Sequence, residues 1–197
     1  VAPLERRHLE ARVDVTLEEA YHGATRLVQV DDRRLEVTIP RGVTSGQRIR
    51  LSGTAGKGPA AGHVYLEVHV ADHPDYVRRG ADLQRELPVT LAEAMLGAEV
   101  AVSTLKGRVM LRIPPETQAG RIFRLKGQGM PHFKADGFGD LLVKVRVVLP
   151  TGLTPDDRRR FKEFADHVTQ PDPRQAPRAD RPPRARSEAP ATGALAA

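Results

Sequence analysis

The chain contains an internal repeat, and this repeat restricts its fold more than any other feature. Four blocks recur in the same order 74 residues later: Val15-Thr16-Leu17 as Val89-Thr90-Leu91, Glu19-Ala20 as Glu93-Ala94, Ile39-Pro40 as Ile113-Pro114, and Arg50-Leu51 as Arg124-Leu125. A fifth block, Gly62-His63-Val64, recurs as Gly139-Asp140-Leu141 with an offset of 77. Matching order at near-constant spacing predicts two homologous units in tandem.

Each unit carries the signature of one short helix. Thr16-x-x-Glu19 and Thr90-x-x-Glu93 have the spacing of a capping box, in which a hydroxyl and a carboxylate satisfy the free amides of the first helical turn. Gly23 and Gly97 follow after about two turns, and glycine is the usual residue at a helix end.

The rest of each unit has the two-residue period of half-buried strands. Apolar residues alternate with polar ones in the runs Val64 to Val70, Leu141 to Val147, and Leu35 to Ile39. Gly-rich stretches at 53–62 and 127–139 are typical of hairpin loops. The sequence therefore predicts a mainly β protein of two small, mostly antiparallel β-sandwich domains, each with one short helix.

A further helix is predicted after Pro150. Thr154-Pro155-Asp156-Asp157 supplies a cap, a first-turn proline and two acids that suit the helix dipole. One face of this helix is apolar: Phe161, Phe164, Ala165 and Val168. This face either packs on its own domain or meets a second chain, and from residue 170 on a Pro-, Ala- and Arg-rich composition predicts a disordered tail.

Catalytic and metal-binding motifs are missing from the sequence. Gly53 to Gly58 has the wrong spacing for a phosphate-binding loop, and Gly127-Gln128-Gly129 lacks the third glycine of a dinucleotide loop. His69 and His73 are predicted to lie on a strand and in a turn, with no third ligand for a metal. We therefore expect no enzyme activity, no cofactor and no metal.

The composition bears on the cellular location and the binding partners of the protein. The chain has no cysteine, which fits a reducing, cytoplasmic location, and it has no run of about 18 apolar residues that would span a membrane. The formal net charge of +6 raises the hypothesis of nucleic-acid binding. Aspartates are interleaved with the arginines, which also fits an ordinary solvated surface.

His73-Pro74-Asp75 spells the tripeptide with which J-domains stimulate their ATPase partners. That tripeptide belongs between two long helices, whereas here strands precede and follow it. We therefore predict a simple turn at this position.

Taken together, the motifs resemble a known family. They run in order as Val13-x-Val15-Thr16-Leu17, Ile39-Pro40-x-Gly42-Val43, His73-Pro74-x-Tyr76-x-Arg78-x-Gly80-x-Asp82-Leu83, Pro88-Val89-Thr90-Leu91, and Leu125-x-Gly127-x-Gly129-Met130-Pro131. This order resembles the C-terminal region of DnaJ-family co-chaperones, and the resemblance covers residues 10 to about 168. Because it has no cysteine, the chain resembles the zinc-free class of this family, to which curved-DNA-binding proteins belong.

The resemblance implies a domain plan. Residues 1–9 would end an upstream linker, 10–79 would form the client-binding domain I, and 80–150 would form domain II. Residues 151–169 would be a dimerisation helix that uses Phe161, Phe164, Ala165 and Val168, and 170–197 a basic tail. The J-domain expected upstream is absent from this sequence, so we expect suppression of aggregation without stimulation of ATP hydrolysis.

The resemblance also implies a binding mode. An extended client segment, or the acidic tail of a DnaK-type partner, would add as a strand beside an apolar groove. The groove residues carried over from the family are Ala11, Val13, Val28, Val30 and Leu66, with Arg26 as the cation that meets acidic groups. The alternative for each apolar residue is a place in the sandwich core.

The leading functional hypothesis is therefore binding of unfolded polypeptide and its delivery to a DnaK-type chaperone by a homodimer. The alternative is binding of DNA, as the main role or as a second one.

Overall fold

The structure of the protein is a computed structural model that describes residues 9–30, 33–55 and 62–175. The first half contains β1 (Leu9–Val15), α1 (Leu17–His22), β2 (Ala24–Val30), β3 (Arg33–Ile39), β4 (Arg48–Ala55) and β5 (Gly62–Val70). The second half contains β6 (Val77–Arg79), β7 (Asp82–Thr90), α2 (Leu91–Leu96), β8 (Ala98–Thr104), β9 (Gly107–Ile113), β10 (Ile122–Leu125) and β11 (Leu141–Val148). A last helix, α3, spans Pro155–His167. The mainly β fold predicted from the sequence is confirmed.

The two halves have the same topology. In the first half β5 lies between β1, which is parallel to it, and β4, which is antiparallel. In the second half β11 lies in the same way between β7 and β10, and the short β6 pairs with the outer side of β7. Each half adds a separate two-stranded hairpin, β2–β3 or β8–β9. The strands are thus mostly antiparallel, with one parallel pair in each half, β1 with β5 and β7 with β11.

The strand register confirms that the halves are structural repeats. Val15 is opposite Val70 in the first half, and Val89 is opposite Val147 in the second. These pairs are related by the two offsets seen in the sequence. The capping boxes of α1 and α2 also form as predicted, and Gly23 and Gly97 end the two helices with φ of 82° and 81°.

The inner faces of the sheets form the hydrophobic core. The alternation predicted for β5 and β11 places Leu66 and Val68, and likewise Val143 and Val145, on buried faces. Both halves contribute to one cluster of buried side chains.

Specific contacts join the two halves. The Arg78 guanidinium donates hydrogen bonds to the carbonyls of Val43 and Gly42, and its removal from water lowers the pKa of Arg78. Tyr21 of the first half packs on Phe138 of the second, with ring centroids 6.0 Å apart. The division into separate domains at residues 79 and 80 stays a prediction.

The described residues after Leu149 form a second compact unit. Its helix α3 begins at a capping box in which the Asp157 amide donates to the Thr154 hydroxyl, as the sequence predicted. Phe161 and Phe164 are 53% and 51% exposed, so the apolar stripe is accessible. The predicted disordered tail falls largely on residues 176–197, which lie outside the described residues. None of the described helices is both long and apolar enough to cross a bilayer.

Candidate functional site

The predicted groove residues lie on three strands of the first half. Ala11 and Val13 are on β1, Leu66 is on β5, and Arg26, Val28 and Val30 are on β2. β1 and β2 belong to different sheets and do not pair with each other. The gap between these two strands is therefore the candidate site.

Two of the predicted groove residues are core residues in this structure. Leu66 lies on the central strand of its sheet and is fully buried, and Val13 is buried on the neighbouring strand. Both side chains belong to the hydrophobic core cluster and expose little or no surface to a ligand. The assignment of Val13 and Leu66 to a client-binding groove, which came from the resemblance, stays a prediction.

The accessible apolar surface of the gap comes from other residues of the predicted groove. Ala11 on β1 and Val28 on β2 are partly buried and pack against the edge of the core. The Val30 side chain lies outside the described part of the structure. Ala11 and Val28 thus remain candidates for contact with a ligand.

Arg26 is exposed but is already paired. Its Nη2 lies 2.6 Å from Glu19 Oε1, while Glu19 Oε2 accepts a hydrogen bond from the Thr16 amide at 2.9 Å and so caps α1. The hydrogen bond from Arg26 is the largest cause that lowers the pKa of Glu19, and the hydrogen bond from Thr16 is the next. The hydrogen bond to Glu19 in turn raises the pKa of Arg26. An acidic ligand at Arg26 must therefore compete with Glu19.

The main chain of β2 presents an edge towards the gap. In the second half, the Ser103 carbonyl of β8 accepts hydrogen bonds from Tyr76 and Arg85, so it points away from β9 and towards β7. Alternate residues of an antiparallel strand direct their main-chain groups to the same side. Ser103 corresponds to Gln29 of β2 by the 74-residue offset, and Thr25 and Leu27 alternate with Gln29 along the strand. The main-chain groups of Thr25 and Leu27 therefore point away from β3 and towards β1. Among the described residues, no strand pairs with this side of β2.

Leu27 is a candidate that sequence reasoning missed. Its side chain is 72% exposed on the face of β2 opposite Val28. The signal was present in the sequence, because Leu27 interrupts a run in which the other outward residues, Thr25 and Gln29, are polar. The β2 edge therefore has an apolar side chain on each face, Val28 within and Leu27 outside.

A cavity of about 380 Å³ lies at the junction of the two halves, beside His73 and Arg78. Its polar groups are engaged in structural bonds: the Ser45 hydroxyl bonds to the main chain of Val70, and His73 Nε2 lies 3.0 Å from Glu18 Oε1. The Asp75 amide donates to His73 Nδ1, which closes the turn predicted for His73-Pro74-Asp75. Within the described residues no group of His, Asp or Glu has the arrangement of a metal site.

Comparison with known proteins identifies the family. The model of the DnaJ C terminal domain matches residues 9–150, which is most of the chain. The chain is 42% identical to Chaperone protein DnaJ 2 of Thermus thermophilus over 160 residues, which is 81% of this chain and 56% of that relative. It is 44% identical to Chaperone protein DnaJ of a Roseiflexus species over 136 residues, 68% of this chain and 37% of the relative.

A third relative is Chaperone protein DnaJ of Bacillus mycoides, 46% identical over 143 residues, which is 71% of this chain and 39% of the relative. The chain belongs to the DnaJ C-terminal domain family. It spans between 37% and 56% of the length of these three relatives.

Proposed function

We propose that this chain is the substrate-binding part of a DnaJ-type chaperone. It binds unfolded polypeptide by adding an extended client segment as a strand to the edge of β2, in the gap between β1 and β2. The observation that carries this proposal is the β2 edge itself, where Thr25 and Leu27 direct main-chain groups into the gap.

Strand addition suits a chaperone because its affinity comes mainly from main-chain hydrogen bonds, which every polypeptide can form. Side chains that alternate along the client would meet Val28 and Ala11 on one face and Leu27 on the other. Because these side chains are small or aliphatic, the selectivity expected is for apolar residues in general rather than for one sequence.

Weak single sites become effective when they are linked. We propose that α3 joins two chains into a homodimer through its exposed apolar stripe, which consists of Phe161, Phe164, Ala165 and Val168. Two linked sites raise the overall affinity for a long client by about 10²–10⁴ without tighter contacts at either site. Rapid release from each single site is retained, which allows transfer of the client.

The proposed recipient of the client is a DnaK-type ATPase. An acidic tail of that partner would meet Arg26, in competition with Glu19. The chain itself contributes binding and no chemistry, so it acts as a co-chaperone without enzyme activity. The lack of cysteine supports assignment to the zinc-free class and to the cytoplasm.

DNA binding is the alternative function. It rests on the net charge of +6, but several arginines of the described part are paired with acids, as in Arg12–Asp14 and Arg146–Glu86. The arginines from Arg178 onwards lie outside the described residues. Protein–DNA affinity falls steeply with salt, whereas burial of apolar surface does not, so salt dependence separates the two functions.

The test is binding of labelled, permanently unfolded α-lactalbumin, reduced and carbamidomethylated, to the purified chain at low and high salt. Val28→Asp places a charge in the gap between β1 and β2. Val148→Asp makes the same change at an exposed strand position of the second half and serves as the matched control. Thermal unfolding of each variant establishes that it is folded.

We expect binding that survives high salt, falls strongly in Val28→Asp and stays unchanged in Val148→Asp. Equal binding by the two folded variants would exclude the gap as the client site. Binding of duplex DNA that disappears at high salt, without binding of the unfolded probe, would favour the alternative.

A further inference from the structure

The two halves carry side chains of very different size and charge at one equivalent position beside the repeated gap. Ala11 faces the gap between β1 and β2, and the residue 74 positions later, Arg85, occupies the same place on β7. Arg85 shares the inner face of β7 with Leu83, Leu87 and Val89, which are buried. A long cationic side chain thus stands in the second half where the first half has a methyl group.

Arg85 and Tyr76 both bind one main-chain carbonyl at the edge of β8. The Tyr76 hydroxyl donates to the Ser103 carbonyl at 2.7 Å, and Arg85 Nη1 donates to the same carbonyl at 2.6 Å. A carbonyl oxygen has two lone pairs, so two donors saturate it. The Ser103 carbonyl is therefore unable to accept a hydrogen bond from an added strand.

The same two side chains also fill the space. The guanidinium carbon of Arg85 lies 5.2 Å from the centre of the Tyr76 ring, and that ring is buried. An added strand lies about 4.8 Å from its neighbour, so the ring and the guanidinium must leave before a client can enter.

The segment of the chain next to Tyr76 holds the Tyr76 and Arg85 side chains in place. Tyr76 directly precedes β6, which pairs with β7 through Val77 and Gln84. Two residues further on, Arg78 is fixed by the carbonyls of Val43, Gly42 and Gly80. The segment that carries Tyr76 is thus anchored to both halves.

We infer that Arg85 and Tyr76 close the gap between β7 and β8 to strand addition, so that of the two equivalent gaps the one between β1 and β2 takes the client strand. This inference rests on the proposed function, since it concerns where the same binding mode is permitted.

The test compares equivalent positions of the two halves in the full chain. Because the chain has no cysteine, a single Leu27→Cys or Ala101→Cys substitution accepts a bimane label at one edge only, and these positions are 74 residues apart. The fluorescence shift on addition of carbamidomethylated α-lactalbumin reports coverage of β2 or β8. Each label is measured in the parent chain and with Tyr76→Ala and Arg85→Ala, which together remove both donors, the ring and the guanidinium.

In the parent chain we expect a shift at position 27 and none at position 101. The double variant is expected to gain at position 101 a shift of the same size as that at position 27. Arg85→Lys with Tyr76 retained keeps a donor and a long side chain, and should leave position 101 silent. Ala11→Arg, the reciprocal change, should abolish the shift at position 27.

A shift at position 101 in the parent chain would overturn the inference and leave the proposed function intact. So would a folded double variant that binds the probe at position 27 alone. If the double variant does not fold, Ala11→Arg tests whether a long cationic side chain at this place closes the gap. Silence of both labels in the parent chain would instead count against the proposed function.

Discussion

Arg26 Nη2 and Glu19 Oε1 lie 2.6 Å apart, and this ion pair connects the β2 edge with the first turn of α1. Glu19 has two tasks, because its other carboxylate oxygen caps the helix through the Thr16 amide. The cation that the family resemblance assigns to acidic ligands is thus held by an acid of its own chain.

Removal of the Glu19 charge should strengthen binding of acidic peptides. Glu19→Gln keeps the capping box, since Gln also accepts from the helix-cap amide, but it frees Arg26. Exposed ion pairs contribute about 0.2–1 kcal/mol, so we expect an affinity gain of up to about fivefold for an acidic peptide. Fluorescence anisotropy with an acidic peptide and its amide counterpart measures the gain.

Arg26→Gln provides the control, and it should weaken binding of the acidic peptide and leave that of the amide peptide unchanged. Equal affinities of Glu19→Gln and the parent chain for the acidic peptide would show that Arg26 does not contact acidic ligands.

The Glu19 pair also predicts a pH dependence of stability. The pKa of Glu19 is lowered in the folded chain from its ordinary value of 4.5, so its stabilisation is present above that value and is lost as the pH falls through the lowered pKa. Urea unfolding of the parent chain and Glu19→Gln should therefore differ at pH 7 and converge as the pH falls through the lowered pKa of Glu19. A difference that persists at low pH would contradict the assignment to this carboxylate.

The two halves of the chain are in close contact at Gly42, and the stability loss from this contact can be measured separately from the loss caused by backbone strain. Gly42 and Gly46 have φ of +83° and +82°, but a Cβ at Gly42 would lie 2.7 Å from the Pro131 oxygen, whereas one at Gly46 meets nothing within 4 Å. Alanine at either position costs about 1–2 kcal/mol for the left-handed backbone. Gly42→Ala should lose about 1–3 kcal/mol more, because the loop around Pro131 must move.

Urea unfolding of Gly42→Ala beside Gly46→Ala measures this difference. Equal losses would mean that the loop around Pro131 does not press on Gly42 in solution.

The apolar stripe of α3 predicts the oligomeric state. If α3 joins two chains as proposed, Phe161→Glu with Phe164→Glu should convert that dimer into a monomer, because two charged groups replace exposed aromatic rings. Arg159→Glu with Lys162→Glu changes the charge more but lies off the stripe, and should leave the dimer intact. Sedimentation equilibrium gives the masses, and a parent chain that is monomeric at high concentration would refute the dimerisation helix.

Local signals in the sequence were sufficient for the outline of the fold. The 74-residue offset, the threonine–glutamate spacings and the two-residue period predicted the repeat, both short helices and most strands. The parallel pairing of β1 with β5 was not predicted, because it joins segments about 50 residues apart and leaves no mark on either one.

The candidate site was harder to predict than the fold. Alternation placed Val13 and Leu66 on one face of a sheet, but it does not tell whether that face lies under a hairpin or opens into a gap. The pairing of Arg26 with Glu19 brings together a strand and a helix, which no periodicity reports. The difference between Ala11 and Arg85 was visible in the sequence repeat. The sequence did not show that Arg85 donates a hydrogen bond to the Ser103 carbonyl, on which its proposed role depends.

The most direct test of the proposed strand addition is hydrogen exchange at the β2 edge, measured by NMR on the full chain with and without carbamidomethylated α-lactalbumin. New main-chain hydrogen bonds should slow exchange of the Thr25 and Leu27 amides, because these groups point into the gap. Amides of β3 already paired with β2, such as that of Val37, should be unaffected. Unchanged exchange at Thr25 and Leu27 under saturating probe would contradict strand addition at this edge.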